Sequence, residues 1–189
     1  LKDEIPDAPY KEKLGHLDIE TSDLNANFGY IFSYAIKEDA GKILGRVLRT
    51  DEVRSGAFDK NLVAEMCRDL RKFDRVTTYY GGDHRFDLPF MRTRALFYRA
   101  DFPLYREVLH TDIYPIVRNK LKLNRNRLAT VCMLLGIPAK GHYLNPTIWC
   151  NARAGDKKSL DYIWRHNCED VASLEAVANI LLPYQRSNK

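Results

Sequence analysis

Two carboxylates, Asp18 and Glu20, stand one residue apart directly after the apolar-leaning run at residues 14–17. Because strand side chains alternate between two faces, an extended segment here points both acids to one face, with Cα atoms about 6.5–7 Å apart. Two like charges held so close are costly to bury without a counter-charge, which predicts a divalent cation or a cationic group of a substrate beside them. The alternative interpretation is an ordinary edge strand whose polar face carries two acids.

Length and composition predict one globular domain. The chain has 189 residues, of which 45% are apolar and 29% charged, and no segment has the composition of a disordered region. No apolar run approaches the roughly 18 residues that span a bilayer, and residues 1–13 lack the apolar core of a signal peptide. We therefore predict an N-terminal extension over residues 1–13, a single domain over residues 14–189, no membrane partner, and a cytoplasmic or nucleoid-associated location without secretion.

The cysteines carry no recognisable metal or disulfide pattern. Cys67, Cys132, Cys150 and Cys168 are irregularly spaced and form no CxxC motif. We expect reduced, mostly buried thiols, as in a cytosolic protein. The chain begins with Leu1 rather than methionine, so we also expect it to be a piece of a longer protein.

Positive charge is concentrated in two stretches of the sequence. The formal net charge is +5, and five basic residues with no acid fall within residues 118–127. A second basic zone contains Arg85, Arg92, Arg94 and Arg99. Such clusters attract polyanions and favour nucleic acid as the partner, although any single Lys or Arg is equally typical of a solvated surface.

The order of predicted elements is typical of an α/β fold. The predicted strands are residues 14–20, 30–36, 43–48, 75–80 and 107–110. The predicted helices are residues 58–73, 89–98, a segment from Asp112 as N-cap to Leu121, a segment from Asn126 as N-cap to Leu135, and residues 159–182 with a break near Asn167. Three strands followed by alternating helices and strands predict a central mixed sheet, antiparallel in its first three strands and flanked by helices.

Further acids follow later in the chain. Asp87 precedes Pro89 at a predicted helix start, where an N-cap role and a metal-ligand role are compatible. His166 and Asp170 are four residues apart and share one face of the last helix, an arrangement that alone would indicate an ordinary surface contact. Asp83 follows the Gly81-Gly82 pair, and we expect it to cap a turn rather than to add an acid to a cleft.

Taken in order, these motifs resemble those of the DEDD (proofreading-exonuclease-like) nucleases of the ribonuclease H fold. The strings are HLDIET at residues 16–21, FDLPF at residues 86–90 and HNCEDV at residues 166–171. They are most similar to the ribonuclease-H-like branch with a last motif of the YNxxDV type, and the resemblance covers roughly residues 14–182. Each motif alone is weak, but three in order are specific. The resemblance implies a ribonuclease H-like fold and a metal-dependent 3′–5′ exonuclease, a phosphodiester hydrolase that acts on DNA or RNA.

The same resemblance implies roles for individual side chains. The implied ligands of two Mg²⁺ or Mn²⁺ ions are Asp18, Glu20, Asp87 and Asp170, and His166 is the implied general base. Carboxylate oxygens suit these hard cations, and two such ions about 3.5–4 Å apart activate water and stabilise a leaving oxygen. An imidazole that titrates near neutral pH suits proton transfer. In the family, the residues after the first motif contact the terminal nucleotide, which corresponds to Thr21, Ser22 and Leu24.

Two further points bear on function. Arg125 and Arg127 precede a predicted helix, so we expect them to hold the phosphate backbone near that helix N-terminus. His166 departs from the family pattern, because its four-residue spacing from Asp170 belongs to members with tyrosine; the spacing predicts a slightly displaced imidazole. Alternatives are a structure-selective or RNA-strand endonuclease on the same fold, and a nucleic-acid-binding module with a degenerate site. The presence of all four acids argues against degeneracy.

Overall fold

The computed structural model describes residues 12–138 and 141–185, with one mixed sheet at its centre. The strand order is β3-β2-β1-β4-β5, so the first strand is central. The first three strands pair antiparallel, and the last two run parallel to the first, which confirms the predicted sheet. The strands are β1 (Leu14–Thr21), β2 (Ile31–Glu38), β3 (Ile43–Val47), β4 (Arg75–Thr78) and β5 (Leu109–Asp112).

Helices cover both faces of this sheet. Within the described ranges they are α1 (Thr50–Arg54), α2 (Lys60–Leu70), α3 (Asp87–Tyr98), α4 (Ile113–Lys120), α5 (Leu128–Leu134), α6 (Pro146–Arg153), α7 (Lys157–Leu181) and a 3₁₀ turn (Leu182–Tyr184). Helix α7 packs along β1 and β2, with α4 and α5 beside it, and α2 packs on β2, β3 and α3. None of the helices in this part of the chain is both long and apolar enough to cross a membrane.

The alternation of β1 decides which side chains face α7. Leu17 and Ile19 are buried in one apolar cluster with Leu62 and Met66 of α2. His16, Asp18 and Glu20 occupy the alternate positions and therefore point to the opposite face, where α7 lies. One strand thus supplies apolar side chains to the core and polar ones to the α7 side of the sheet.

The structure corrects several sequence-based boundaries. Helix α7 is unbroken at Asn167, because that fully buried amide finds side-chain partners on the sheet and leaves the helix backbone intact. Helix α5 has Arg127 rather than Asn126 at its N-cap. Helices α1 and α6 were not predicted. Asp112 caps α4 as predicted, accepting a hydrogen bond from the backbone N–H of Tyr114 at 3.0 Å. Only Glu12 and Lys13 of the predicted N-terminal extension are among the described residues.

A buried ion pair joins α2, α3 and β2. Asp59 is fully buried and accepts hydrogen bonds from Arg94 Nε at 2.9 Å, Arg94 Nη2 at 2.6 Å and the Tyr98 hydroxyl at 2.8 Å. Its Oδ2 also accepts from the backbone N–H of Ile31 at 2.9 Å. Arg94 is only 7% exposed, so it belongs to the interior and not to the basic surface zone in which the sequence placed it.

Candidate active site

Asp18 is held in place from α7 and β2. The Asn167 Nδ2 group donates a hydrogen bond to Asp18 Oδ2 at 2.7 Å, and Asn167 Oδ1 accepts one from the Ser33 hydroxyl at 2.8 Å. Asn167 and Ser33 are both fully buried. Because a hydroxyl donates to one end of the amide, the other end must present its N–H to the carboxylate. Asn167, which the sequence analysis associated only with a helix break, is therefore a positioning residue for Asp18.

Glu20 lies against two side chains of α7. The His166 Nε2 atom is 3.5 Å from Glu20 Oε1 and 3.2 Å from Asp170 Oδ2. Ligand atoms of these three residues all lie within 4.8 Å of one another, and each side chain is less than 15% exposed. We call Glu20, His166 and Asp170 the His166 cluster; its donor atoms are near enough to share one cation.

The orientation of the His166 ring is set by the chain before α6. His166 Nδ1 contacts the main-chain carbonyl of His142, and a carbonyl oxygen can only accept, so Nδ1 carries the proton. Glu169 holds the backbone just before that carbonyl by accepting from the N–H groups of Gly141 at 3.0 Å and His142 at 3.1 Å. The Nε2 atom consequently faces the two acids of the cluster.

Asp87 is a buried acid next to another acid. It is the first residue of α3, is 4% exposed, and follows Phe86 at the N-cap, whereas the sequence placed Asp87 itself there. Burial and the negative charge of Asp18 raise the pKa of Asp87 well above its ordinary value, although a hydrogen bond from the backbone of Ile19 acts in the opposite direction. Gly81 leaves room for this carboxylate, because a Cβ at that position would collide with Asp87 Oδ2.

Asp112 supports the segment that leads into α3. Its Oδ1 accepts from the backbone N–H of Tyr80 at 2.9 Å, and its Oδ2 accepts from that of Gly82 at 3.2 Å and pairs with Arg85 Nε at 3.2 Å. The predicted helix cap thus also fixes the loop that contains Gly81. Asp83 instead pairs with Arg92 on the exposed side of α3, at 2.7 Å.

The residues expected to contact the terminal nucleotide line an open groove beside Glu20. The Thr21 hydroxyl donates to the Asp23 carbonyl at 2.7 Å and the Ser22 hydroxyl accepts from the Tyr30 N–H at 2.9 Å, so both stabilise the local turn. Leu24 is 81% exposed. The remaining wall of the groove is formed by Phe86, Trp149 and Arg153. Trp149 and Arg153 belong to α6, whose start signal, Asn145 as N-cap before Pro146, is present in the sequence.

Arg125 and Arg127 lie in a different groove. They line it together with three tyrosines, Tyr79, Tyr80 and Tyr114. The guanidinium of Arg85 lies 4.6 Å from the Tyr80 ring centre and 4.5 Å from that of Tyr114. The structure therefore separates the predicted phosphate contacts from the predicted nucleotide contacts, which share no groove.

Comparison with known proteins places this arrangement in a family. A family model described as the RNase H superfamily matches residues 16–182. The chain belongs to the RNase H superfamily. The ribonuclease H-like fold predicted from the sequence is thereby confirmed, and its central strand is the one that carries Asp18 and Glu20.

Two polymerases are similar to this member of the superfamily. A DNA polymerase of Methanocaldococcus jannaschii is 30% identical over an alignment of 126 residues that covers 55% of this chain and 7% of the polymerase. A family B DNA polymerase from the hyperthermophilic archaeon Pyrobaculum calidifontis superposes with a TM-score of 0.74 at 17% identity, covering 93% of this chain and 25% of that chain. The chain thus spans a small part of each polymerase, and the structural likeness concerns the fold.

Proposed function

We propose that this chain is a metal-dependent 3′–5′ exonuclease of DNA or RNA, of the DEDD type. The observation that carries the proposal is the convergence of acids from three elements: Glu20 of β1 and Asp170 of α7 bring their carboxylates to one imidazole, and Asp87 of α3 is buried close enough to Asp18 for burial and that neighbouring charge to raise its pKa. Such mutual repulsion costs folding free energy that a bound cation would relieve. Membership of the RNase H superfamily is consistent with this chemistry.

The residues present fit two divalent cations. Carboxylate oxygens from Asp18, Glu20, Asp87 and Asp170 suit Mg²⁺ or Mn²⁺, and the raised pKa of Asp87 is the electrostatic sign of a site that favours positive charge. When bound, such ions activate water and stabilise charge on the leaving oxygen. The hydrogen bond from Asn167 to Asp18 Oδ2 restricts the orientation of this carboxylate.

His166 has the geometry to move a proton. Its Nδ1–H is held by the His142 carbonyl, which leaves Nε2 as the basic atom. Glu20 and Asp170, two proposed metal ligands, lie within 3.5 Å of Nε2, so this nitrogen is placed to take a proton from a water held at the proposed metal site. With this arrangement His166 can serve as the general base, although its four-residue spacing from Asp170 is that of family members with tyrosine.

The groove beside Glu20 suits the 3′-terminal nucleotide. Leu24 and Phe86 offer apolar contact to a base, Trp149 offers a stacking surface, and Arg153 lies on the same wall as a positive charge. Thr21 and Ser22 shape this wall through their turn hydrogen bonds. The tyrosine-lined groove with Arg125 and Arg127 would then hold a more distant part of the strand.

Incubation with Mn²⁺ or Mg²⁺ and 5′-labelled single strands of DNA and RNA tests the proposal. A ladder that shortens progressively from the 3′ end is expected. Internal cuts would indicate an endonuclease instead, and binding without cleavage would indicate a nucleic-acid-binding module. Asp18→Ala should abolish cleavage, while Asp51→Ala, which alters an aspartate that is 77% exposed on α1, should not.

A further inference from the structure

A second group of potential ligands lies at the α7 side of the sheet. His16 of β1, Asp39 in the turn between β2 and β3, and Glu175 of α7 bring their ligand atoms within 4.8 Å of one another. The turn is tied to β1, because the Asp39 N–H donates to the Leu14 carbonyl at 3.0 Å. We call these three residues the His16 cluster. It draws on three separate elements and shares no residue with the His166 cluster.

The imidazole of His16 is aimed into this cluster. His16 is fully buried, and its Nδ1 lies 2.8 Å from the Thr77 hydroxyl of β4. Its Nε2 lies 3.8 Å from Asp39 Oδ1, beyond hydrogen-bond distance, and has no hydrogen-bond partner. Burying a ring nitrogen without a hydrogen-bond partner costs free energy. Two carboxylates lie beside this nitrogen, so a cation bound between the nitrogen and the carboxylates would offset that cost.

We propose that the His16 cluster is a transition-metal site of the Zn²⁺ class, separate from the proposed active site. One imidazole nitrogen with carboxylate oxygens is a donor set that suits Zn²⁺ better than Mg²⁺ or Ca²⁺. With metal–ligand bonds of about 2.0–2.2 Å, donor atoms lie about 3.3–3.6 Å apart in tetrahedral geometry. The 3.8 Å between Nε2 and Asp39 Oδ1 needs only a small contraction to reach that spacing.

The surroundings of the cluster are consistent with a three-ligand site. The Thr77 hydroxyl can accept from Nδ1–H, which orients the ring and leaves the Nε2 lone pair for a metal. The side chains of Asp39 and Glu175 are 32% and 17% exposed, so solvent can reach the site and supply a water as a fourth ligand.

The ammonium group of Lys37 repels a metal ion in the His16 cluster. Its Nζ lies 3.1 Å from Glu175 Oε2 and also donates to the Gly41 carbonyl at 2.7 Å. Two carboxylates against one ammonium leave a net negative charge when His16 is neutral. The site therefore still attracts a cation, but with an affinity that Lys37 lowers. Replacing Lys37 by methionine should tighten metal binding.

A metal at this position would fasten the β2–β3 turn and α7 to the central strand. Glu175 already contacts the turn, accepting from the Ala40 N–H at 2.7 Å. The proposed role is structural and does not depend on the nuclease proposal, because no residue of the His16 cluster is assigned to catalysis.

The test uses the full 189-residue chain, stripped with a chelator, with Glu20→Gln and Asp170→Asn introduced to disable the His166 cluster. Calorimetric titration with Zn²⁺ should show a single bound ion, and Co²⁺ should give the visible absorption of a nitrogen- and oxygen-ligated site. Asp39→Asn or Glu175→Gln should weaken binding at least about tenfold. Glutamine at position 175 keeps an acceptor for the Ala40 N–H, so the fold should be retained.

Controls decide between the site and adventitious binding. Asp51→Asn should leave Zn²⁺ affinity unchanged and Lys37→Met should raise it, with circular dichroism confirming that each variant is folded. The proposal is overturned if the stripped protein takes up no Zn²⁺, or if uptake is insensitive to both Asp39→Asn and Glu175→Gln.

Discussion

Asp59 and Asp87 are both buried aspartates, 0% and 4% exposed, yet their surroundings are opposite. Asp59 receives two hydrogen bonds from Arg94 and others from a tyrosine and a backbone N–H. Asp87 instead lies near Asp18, and its pKa is raised by burial and by that charge. The charge of the Asp59 carboxylate is offset by a buried guanidinium, so removing it should destabilise the fold, whereas the Asp87 carboxylate lies beside a second acid and is a proposed metal ligand. Asp59 and Asp87 are buried to a similar extent, so what distinguishes them is the charge of the neighbouring side chain.

The largest effect is expected at Asp59. In Asp59→Ala the Arg94 guanidinium stays buried without its carboxylate, which should lower the free energy of unfolding by about 3–5 kcal/mol. Urea denaturation followed by circular dichroism measures this loss. A loss below about 1 kcal/mol would mean that water reaches Arg94. Asp59 would then not differ from Asp87 by having a structural role.

The next effect is on activity. Asp87→Asn keeps the shape of the side chain and removes a proposed metal ligand, so cleavage of a labelled strand should fall at least about a hundredfold, or about 2.7 kcal/mol in transition-state free energy. Asp83→Asn is the matched control, because Asp83 lies on the same loop but pairs with Arg92. Equal activity in the two variants would remove Asp87 from the site.

The same variant, Asp87→Asn, should have a smaller effect on stability, and unlike Asp59→Ala it should increase the free energy of unfolding. Because the pKa of Asp87 is higher in the folded than in the unfolded protein, its ionisation opposes folding once the pH rises through the folded pKa. In chelator at neutral pH, Asp87→Asn should therefore be more stable than the original chain and should have a higher midpoint temperature of thermal unfolding. The difference should vanish as the pH falls below the ordinary aspartate value. A constant difference across this range would contradict the assigned cause.

The smallest effect is expected at Ser33. Ser33→Ala removes the hydroxyl that donates to Asn167 Oδ1, at a cost of about 1 kcal/mol in the free energy of unfolding. Asn167 can then rotate, so Asp18 loses its fixed orientation and cleavage should slow several-fold with little change in strand binding. Ser33→Thr, which retains the hydroxyl, should recover more activity than Ser33→Ala; the reverse order would show that Asn167 is oriented by other contacts.

Local patterns in the sequence predicted the sheet, and the proposed acids were identified from strand alternation together with the resemblance of three motifs to a nuclease family. Strand alternation and motif order identify Asp18 and Glu20 without any knowledge of tertiary contacts. The pairing of Asp59 with Arg94 joins residues 35 positions apart, and no local pattern distinguishes that arginine from its exposed neighbours. A break in the last helix was predicted near Asn167, but this buried asparagine bonds to Ser33 and Asp18 and lies inside one continuous helix. Helix α6 was missed because it is short and lacks a clear apolar period.

The unbroken course of α7 restricts how the length of this chain can vary. His166 and Glu175 are nine residues apart, about two and a half turns, so they lie on opposite flanks of one rigid helix. An insertion or deletion of one residue between them would rotate one flank by about 100° relative to the other. Either the His166 cluster would then lose one or both of its α7 residues, or the His16 cluster would lose Glu175. Related chains that keep both clusters should therefore vary in length at their loops while the spacing within α7 stays constant.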